Sequence, residues 1–215
     1  MTYTAPAFAR DASALRAEIE ARDIRHVKVG VTDVDGVLNA LTDDSADLGA
    51  WNDWQEGTAT AEGARWPILW SPSVVARLRD LHESQRVELR WLTTWGHDAN
   101  NDLRLLLGLP ELTVAGTYHD AGAPTVEATT GPAHASVAPA APDPLTGRWW
   151  KYDVVARLVQ QDPQQRLIWV DDDLDRANGV FAEWAAEQPS VTPIAPDPRC
   201  GLTPHDLEVI ATAVG

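Results

Sequence analysis

The chain has 215 residues, of which 44% are hydrophobic, so it is long enough for one domain with a full core. Its formal net charge of -15, from 17 lysines and arginines against 32 acidic residues, disfavours a protein that grips a long nucleic-acid backbone. The single cysteine, Cys200, excludes an intramolecular disulfide and a zinc site built on several thiolates. Without a signal-peptide pattern or an apolar run of about 20 residues, the sequence predicts a cytoplasmic protein.

The predicted secondary structure alternates between helices and strands. Short apolar runs with β-branched residues indicate strands, and apolar residues at helical spacing after Ser-Pro or Thr-Pro indicate helices. In chain order, the predicted elements are a helix over residues 11–22, a strand over 27–32, a hairpin or irregular flap over 37–50, a strand over 66–70, a helix over 74–82, a strand over 86–93, a helix over 98–107, a strand over 112–115, a helix over 150–161, a strand over 165–170, a helix over 174–187, a strand over 191–194 and a helix over 203–213. This alternation is typical of an α/β domain in which helices cover both faces of a parallel sheet.

Residues 117–148 interrupt the pattern. They are rich in Ala, Pro, Gly and Thr and show no hydrophobic period, which predicts a long loop or insertion within a single domain over residues 1–215. The sequence contains neither a GxGxxG motif nor a Walker lysine motif. This argues against a dinucleotide-binding fold and against a P-loop enzyme.

The stretch 27–39, VKVGVTDVDGVLN, contains the first candidate for chemistry. Its apolar half is typical of a buried strand of a parallel sheet, and Asp33 and Asp35 follow where that strand ends. Open α/β sheets bind their ligands at this edge. Two carboxylates so close together repel each other unless a cation lies between them, and oxygen ligands favour Mg²⁺ over zinc. The alternative interpretation is a solvated Asp-Gly turn between two strands.

Further polar groups are predicted at the same edge, because the C-terminal ends of parallel strands lie together. Thr93 and Thr94 end one strand, Lys151 begins a helix, and the acidic residues 171–173 follow the apolar strand LIWV. With the first two aspartates, these groups supply a nucleophile, a metal site, two phosphoryl-binding groups and a second carboxyl for proton transfer. Each group alone has a structural alternative: the threonines could satisfy backbone groups, the lysine could be solvated, and the acids could cap a helix.

The order of these segments resembles the haloacid dehalogenase (HAD) superfamily of phosphohydrolases. The segments that carry the resemblance are VTDVDGVL, then LRWLTTW, then Lys151 near a helix start, and then WVDD. They extend over residues 27–194. The resemblance implies a Rossmann-like HAD fold with a parallel sheet of about five strands flanked by helices, a β-hairpin flap and no large cap domain.

The resemblance also implies a role for each matched residue. Asp33 would be the nucleophile that forms an aspartyl-phosphate, while Asp35 would protonate the leaving group and then activate water. Thr93 and Lys151 would hold the transferring phosphoryl group. The implied cofactor is Mg²⁺, and its implied ligands are Asp33, Asp35 through its backbone carbonyl, Asp171 and Asp172.

More narrowly, the segments WLTTWGHDAN, WWKYD, WVDDDL and PDPRCGLTPHDL resemble a small capless branch of the superfamily. That branch includes HAD domains attached to RNA-repair proteins and uncharacterised bacterial and phage proteins. In an open, capless site, substrate choice would depend on the flap, on residues 117–148 or on a partner chain in a homo-oligomer. Thr94, Trp95 and Trp54 are predicted to bind substrate, since an indole face offers stacking for a nucleobase. The alternative is that these tryptophans are core or flap-packing residues.

Together these features predict a Mg²⁺-dependent phosphatase that hydrolyses a small phosphomonoester, with a nucleotide as the preferred substrate. A membrane partner is not expected, and long nucleic acid is disfavoured by the net charge. One alternative is a nucleic-acid end phosphatase, which needs to recognise only one terminal phosphate. A second alternative is a non-catalytic binding or inhibitory protein that keeps the HAD fold.

Overall fold

The computed structural model describes residues 28–118, 120, 149–175 and 179–215. Its strands are β1 (Lys28–Thr32), β2 (Gln55–Ala61), β3 (Ala64–Trp70), β4 (Val87–Trp91), β5 (Thr113–Val114), β6 (Leu167–Val170) and β7 (Val191–Ile194). Its α-helices are α1 (Pro72–Glu83), α2 (Asp102–Leu107), α3 (Trp150–Gln161), α4 (Val180–Glu187) and α5 (Pro204–Val214). The predicted helix over 11–22 and nearly all of the predicted insertion lie outside the described residues. The assignment of residues 1–215 to a single domain therefore stays a prediction.

Five strands form one parallel sheet in the order β5-β4-β1-β6-β7. β1 is central and pairs with β4 on one side and with β6 on the other. Along the chain, β4 and β5 come first and lie on one side of β1, and β6 and β7 follow and lie on the other side. The strand order therefore reverses at β1. A crevice is expected at the C-terminal end of such a strand. The predicted α/β architecture, with a parallel sheet of five strands flanked by helices, is confirmed.

Apolar side chains cover both faces of this sheet. Along β6, Leu167 and Trp169 join an apolar cluster with α3 and α4, whereas Ile168 and Val170 join a second cluster with α1, α2 and α5. The alternation within one strand shows that the two clusters lie on opposite faces. Burial on both faces explains why the central strands read as continuous apolar runs in the sequence.

β2 and β3 form a separate antiparallel hairpin, called the flap hairpin below. Its turn consists of Glu62 and Gly63, whose φ angles of 51° and 74° are both positive, as a two-residue connection of type I′ requires. The sequence predicts a hairpin or an irregular flap over 37–50, and the structure shows the second of these alternatives. That segment is irregular, with a 3₁₀ helix at Ser45–Leu48, and the hairpin follows it. The Gly and Ala residues of β2 are depleted in strands in general, which is why the sequence did not indicate this strand.

The helices begin at the caps that the sequence indicates. Ser71 accepts a hydrogen bond from the backbone N–H of Val74 at the start of α1, and Thr203 forms a capping box with Asp206 at the start of α5. The predicted helix over 98–107 is instead divided at Asn101, whose φ of -93° and ψ of -116° are not helical. The prediction over 174–187 is also too long, since α4 begins at Val180 and residues 176–178 are outside the described part. No helix within the described ranges has both the length and the apolar character needed to cross a membrane.

Candidate active site

A buried ion-pair network lies at the C-terminal end of β1. Asp33 directly follows β1, Asp171 directly follows β6, and Lys151 lies in the first turn of α3. The Lys151 ammonium bonds Asp33 Oδ2 and also bonds Asp171 Oδ2 at 2.8 Å. The side chains of Lys151 and Asp171 are 0% exposed, and that of Asp33 is 5% exposed. The structure thus brings together three residues that the sequence placed at this edge.

The sheet itself fixes the backbone of both acids. The N–H of Asp33 donates to the carbonyl of Val170 at 3.1 Å, and the N–H of Asp171 donates to the carbonyl of Ile194 at 3.0 Å. The hydrogen-bond ladder therefore extends one residue beyond each strand. In addition, Asp33 Oδ1 accepts from the backbone N–H of Val34 at 2.7 Å, which fixes the orientation of the carboxylate.

The charge of Lys151 is maintained by its neighbours. Burial lowers the pKa of the Lys151 ammonium, but the adjacent carboxylates of Asp171 and Asp33 outweigh burial and raise the pKa above the ordinary value for lysine. The ammonium also lies 5.6 Å from the ring centroid of Trp149, within reach of a cation–π interaction. These contacts therefore favour the charged form of Lys151.

One positive charge faces more than one negative charge. Complete burial raises the pKa of the Asp171 carboxyl well above its ordinary value, Lys151 opposes this effect, and the neighbouring Asp33 carboxylate adds to it. Within the described ranges, Asp33, Asp171 and Asp172 present carboxylate oxygens that all lie within 4.8 Å of one another. This donor set consists of oxygen alone and carries an excess of negative charge, so it fits Mg²⁺. Asp173 is not part of the set, and its N–H donates to Asp171 Oδ1 at 3.1 Å.

Gly36 makes room for this set of carboxylates. Its φ angle of +72° is left-handed, and a Cβ atom added at Gly36 would lie 2.4–2.6 Å from the carboxyl atoms of Asp172. Any larger residue would displace the Asp172 carboxylate. Glycine therefore fits the fourth position of the Asp-x-Asp-Gly sequence because a side chain there would collide with Asp172.

Two donors from outside the ion-pair network bind the Asp35 carboxyl group. Asn39 Nδ2 donates to Asp35 Oδ1 at 2.7 Å, and Trp95 Nε1 donates to Asp35 Oδ2 at 2.8 Å. Burial raises the pKa of Asp35, and the negative charge of Asp33 raises it further, while the two hydrogen bonds and Lys151 act in the opposite direction. The net shift is upward, which favours a carboxyl that can carry and release a proton. The predicted metal contact through the Asp35 carbonyl stays a prediction.

Thr93 lies at the corresponding edge of β4. Thr93 is buried, and its Oγ1 accepts from the backbone N–H of Trp95 at 3.3 Å, so the hydroxyl hydrogen can be directed to a ligand. Thr93 and Thr94 both line a cleft of about 240 Å³, and the ion-pair residues Asp33, Lys151 and Asp171 are not part of its lining. The remaining residues around this cleft are Glu62, Trp95, Gly96, His97, Asp98, Thr117, Tyr118 and Trp150.

The two tryptophans predicted to bind substrate have other contacts. Trp95 lines the cleft, but its side chain is largely buried and its indole N–H is directed to Asp35. Trp54 donates from Nε1 to the carbonyl of Leu48 at 2.8 Å and is not among the residues around this cleft. Stacking of a substrate on either indole stays a prediction.

Asn39 is a site residue that sequence reasoning missed. It lies at the end of the stretch 27–39, but its contact with Asp35 depends on a turn in which the N–H of Gly36 donates to the Asn39 carbonyl at 2.8 Å. In the sequence, the signal for this contact is an asparagine three residues after Asp35-Gly36. Asparagine is common in turns, so that position alone does not indicate a site residue.

Comparison with known proteins agrees with this geometry. A family model described as "HAD domain in Swiss Army Knife RNA repair proteins" matches residues 31–207, which include every residue of the network. Neither the comparison with curated proteins nor the comparison with solved structures gave a match. The family match covers most of the chain and contains the acids that follow β1 and β6 as well as the lysine of α3. The chain therefore belongs to the HAD domains of the kind found in Swiss Army Knife RNA repair proteins.

Proposed function

We propose that this protein is a Mg²⁺-dependent phosphatase that hydrolyses a phosphomonoester through an aspartyl-phosphate on Asp33. The observation that carries the proposal is the buried contact of Lys151 with both Asp33 and Asp171 at the sheet edge. Membership of the HAD family supports a hydrolase of the phosphatase kind.

The first half-reaction transfers the phosphoryl group to the protein. A carboxylate oxygen of Asp33 attacks phosphorus, and the bond from phosphorus to the leaving oxygen breaks. Asp35 gives its proton to that oxygen, so the leaving group departs as an alcohol. Two of the three ammonium donors of Lys151 bond Asp33 and Asp171, and the third, together with the Thr93 hydroxyl, binds phosphoryl oxygens.

The second half-reaction restores the enzyme. Asp35 is now a carboxylate and takes a proton from a water molecule, whose oxygen attacks the phosphorus of the aspartyl-phosphate. The bond between phosphorus and the Asp33 oxygen breaks, inorganic phosphate leaves, and Asp35 again carries a proton. When bound by Asp33, Asp171 and Asp172, Mg²⁺ supplies positive charge that offsets the phosphoryl oxygens beside these carboxylates.

We propose a nucleotide or a similar small phosphate as the substrate. The cleft beside Thr93 has room for part of a leaving group and contains the aromatic residues Trp95, Tyr118 and Trp150 as well as polar side chains. Aromatic rings favour a base over an aliphatic group. The net charge of -15 favours a short substrate over a long polyanion.

A second candidate is an end phosphatase acting on RNA. The observation in its favour is that the matching family is described from RNA repair proteins. A terminal phosphomonoester on RNA presents the same reacting group as a nucleotide, so the same residues would act on it. Kinetics with mononucleotides and with oligonucleotides phosphorylated at the 3′ or 5′ end separate the two candidates.

The first experiment measures turnover of an aryl phosphate with Mg²⁺, with a chelator and with the variant Asp33→Asn. We expect turnover with Mg²⁺, and we expect both the chelator and the variant to abolish it while circular dichroism shows a folded protein. Full activity of a variant that has not deamidated would contradict the aspartyl-phosphate. No turnover across a panel of metabolite phosphates and phosphorylated oligonucleotides would favour a non-catalytic binding protein.

A further inference from the structure

We propose that Trp95 and Asn39 are positioning residues that fix the carboxyl group of Asp35 for proton transfer, and that Asn39 links this group to the flap hairpin. The inference rests on the proposed function, because it concerns how Asp35 reaches the leaving oxygen. It goes beyond that function in assigning a role to two residues that do not contact the reacting atoms.

Both oxygens of the Asp35 carboxyl are held by different parts of the chain. Trp95 Nε1 donates to Oδ2 at 2.8 Å from the segment that follows β4, and Asn39 Nδ2 donates to Oδ1 at 2.7 Å from the turn after β1. A carboxyl group with a donor on each oxygen cannot rotate without breaking one of the two bonds. Side chains held in this way are preorganised for reaction.

The Asn39 amide is itself fixed by the flap hairpin. Its Oδ1 accepts from the backbone N–H of Leu69 in β3 at 2.8 Å, which turns its Nδ2 toward Asp35. The backbone adds a further bond, from the N–H of Ala40 to the carbonyl of Leu69 at 2.8 Å. The position of β3 is therefore transmitted to Asp35 through one buried side chain.

Trp95 connects Asp35 to the phosphoryl-binding hydroxyl. The backbone N–H of Trp95 donates to Thr93 Oγ1 at 3.3 Å, while its indole N–H donates to Asp35. One residue thus sets the distance between the proposed acid and the group proposed to hold the phosphate. This arrangement explains why an indole lies buried at the edge of an open cleft.

The chemical consequence depends on the leaving group. An alkyl phosphate needs a proton on its leaving oxygen, whereas an activated aryl phosphate departs without one. In the first half-reaction, loss of the Asp35 position should therefore slow the alkyl ester much more than the aryl ester, whereas the second half-reaction is common to both. A merely structural defect would slow both substrates to the same extent.

The test compares kcat/KM, which covers only the steps up to departure of the leaving group, for an alkyl phosphate and for p-nitrophenyl phosphate in Trp95→Phe and Asn39→Ala. Trp95→Phe keeps an aromatic ring and removes the N–H, and Asn39→Ala removes both the donor to Asp35 and the acceptor for Leu69 without adding a charge. We expect the alkyl ester to lose about 10²-fold, the scale of a small misplacement at a reacting centre. The aryl ester should change little.

A matched control is Trp51→Phe, which removes an indole N–H that donates to the Leu202 carbonyl at 2.8 Å. It should leave the ratio of the two rates as in wild type. In the background of Asp35→Asn, Trp95→Phe should add no further loss on the alkyl ester, because the indole acts through Asp35.

Equal losses on both esters in the two variants would overturn the inference and leave the proposed phosphatase intact. A further loss from Trp95→Phe in the Asp35→Asn background would also overturn it. If one variant does not fold, the other decides the question by the same ratio. Absence of turnover of either ester by wild type would instead overturn the proposed function, and the positioning role with it.

Discussion

Lys151 is one of only two lysines in the chain, and it is the more buried of the two. Its ammonium is the counter-charge that allows Asp33 and Asp171 to lie together inside the protein. A buried pair contributes little net stability compared with apolar residues, but removing one partner leaves the other charge without compensation. The balance of charge among these three side chains therefore determines whether they can stay buried together.

Lys151→Met should cost roughly 3–5 kcal/mol in the free energy of unfolding, because two carboxylates remain buried without an ammonium. Urea unfolding with a chelator present would measure this cost. Mg²⁺ should reduce it, since a divalent cation beside the same carboxylates replaces part of the missing charge. Lys28→Met removes the other, partly exposed lysine and should cost less, with no dependence on Mg²⁺; an equal loss in both variants would contradict the argument.

Gly36→Ala tests the close approach to Asp172. The variant has two faults: alanine at a φ of +72°, which costs about 1–3 kcal/mol, and a Cβ in the position of the Asp172 carboxylate. Gly179→Ala is a matched control, since Gly179 has a φ of +75° and no atom of the described residues lies within 4 Å of an added Cβ. Both variants should lower the melting temperature, but only Gly36→Ala should lose the increase that we expect Mg²⁺ to produce in wild type. A normal Mg²⁺ response in Gly36→Ala would show that Asp172 is not a ligand.

Helix α1 shows how a loop residue stabilises an element. Asp53 precedes β2, and its carboxylate accepts from the Ser71 hydroxyl at 2.6 Å and from the backbone N–H of Ser73 at 2.8 Å. Burial alone would raise the pKa of Asp53, but the hydrogen bonds from Ser71 and Ser73 outweigh it and set the pKa below the ordinary value of 3.8. The start of α1 is thereby tied to the approach to the flap hairpin.

Asp53→Ala should destabilise the protein by about 0.5–2 kcal/mol near neutral pH, as expected for loss of a helix cap. Because the pKa of Asp53 is lower in the folded state, this stabilisation is fully present above 3.8 and is lost as the pH falls through the folded value. The difference between wild type and variant in urea unfolding should therefore shrink below 3.8. Asp80→Ala removes an exposed carboxylate from the same helix and should show a smaller effect; an equal loss would argue against the cap.

Sequence patterns predicted some elements better than others for physical reasons. The helix over 150–161 and the strand over 191–194 have the predicted bounds, since apolar spacing and flanking polar residues are strong in both. β2 was missed because it is held by pairing with β3 and by packing of Gly57 close to Leu106, not by its own composition. Asp33, Lys151 and Asp171 were predicted to converge because all follow from the edge rule for parallel sheets. Trp95 was placed near the site, but its N–H contact depends on a rotamer that only the fold determines.

The whole molecule carries a strong negative charge, and the proposed substrate is also an anion. Repulsion between like charges slows association, and salt screens it over a Debye length of about 10 Å at 0.1 M. The open cleft beside Thr93 has two carboxylate residues on its border, Glu62 and Asp98. Long polyanions should therefore be affected by salt more than small substrates.

We expect nucleoside monophosphates to be hydrolysed faster than sugar phosphates of equal charge. We also expect kcat/KM for an end-phosphorylated oligonucleotide to rise as the salt concentration increases from about 50 to about 200 mM. The value for a mononucleotide should change little. Steady-state kinetics at matched Mg²⁺ would measure both. A fall of kcat/KM with salt for the oligonucleotide would indicate a cationic path for RNA and would favour the end-phosphatase alternative.

The central position of β1 has a consequence for how the protein is made. β1 takes hydrogen bonds from β4 on one side and from β6 on the other, although the two partners are far apart along the chain. During translation, β4 emerges well before β6, so the early chain carries a half-paired central strand with Asp33 at its end. Parallel pairings between distant segments form slowly, because the loop between them must close first. Lys151 lies in the helix that precedes β6, so its ammonium can compensate the carboxylates of Asp33 and Asp171 only after the second half of the chain has been made.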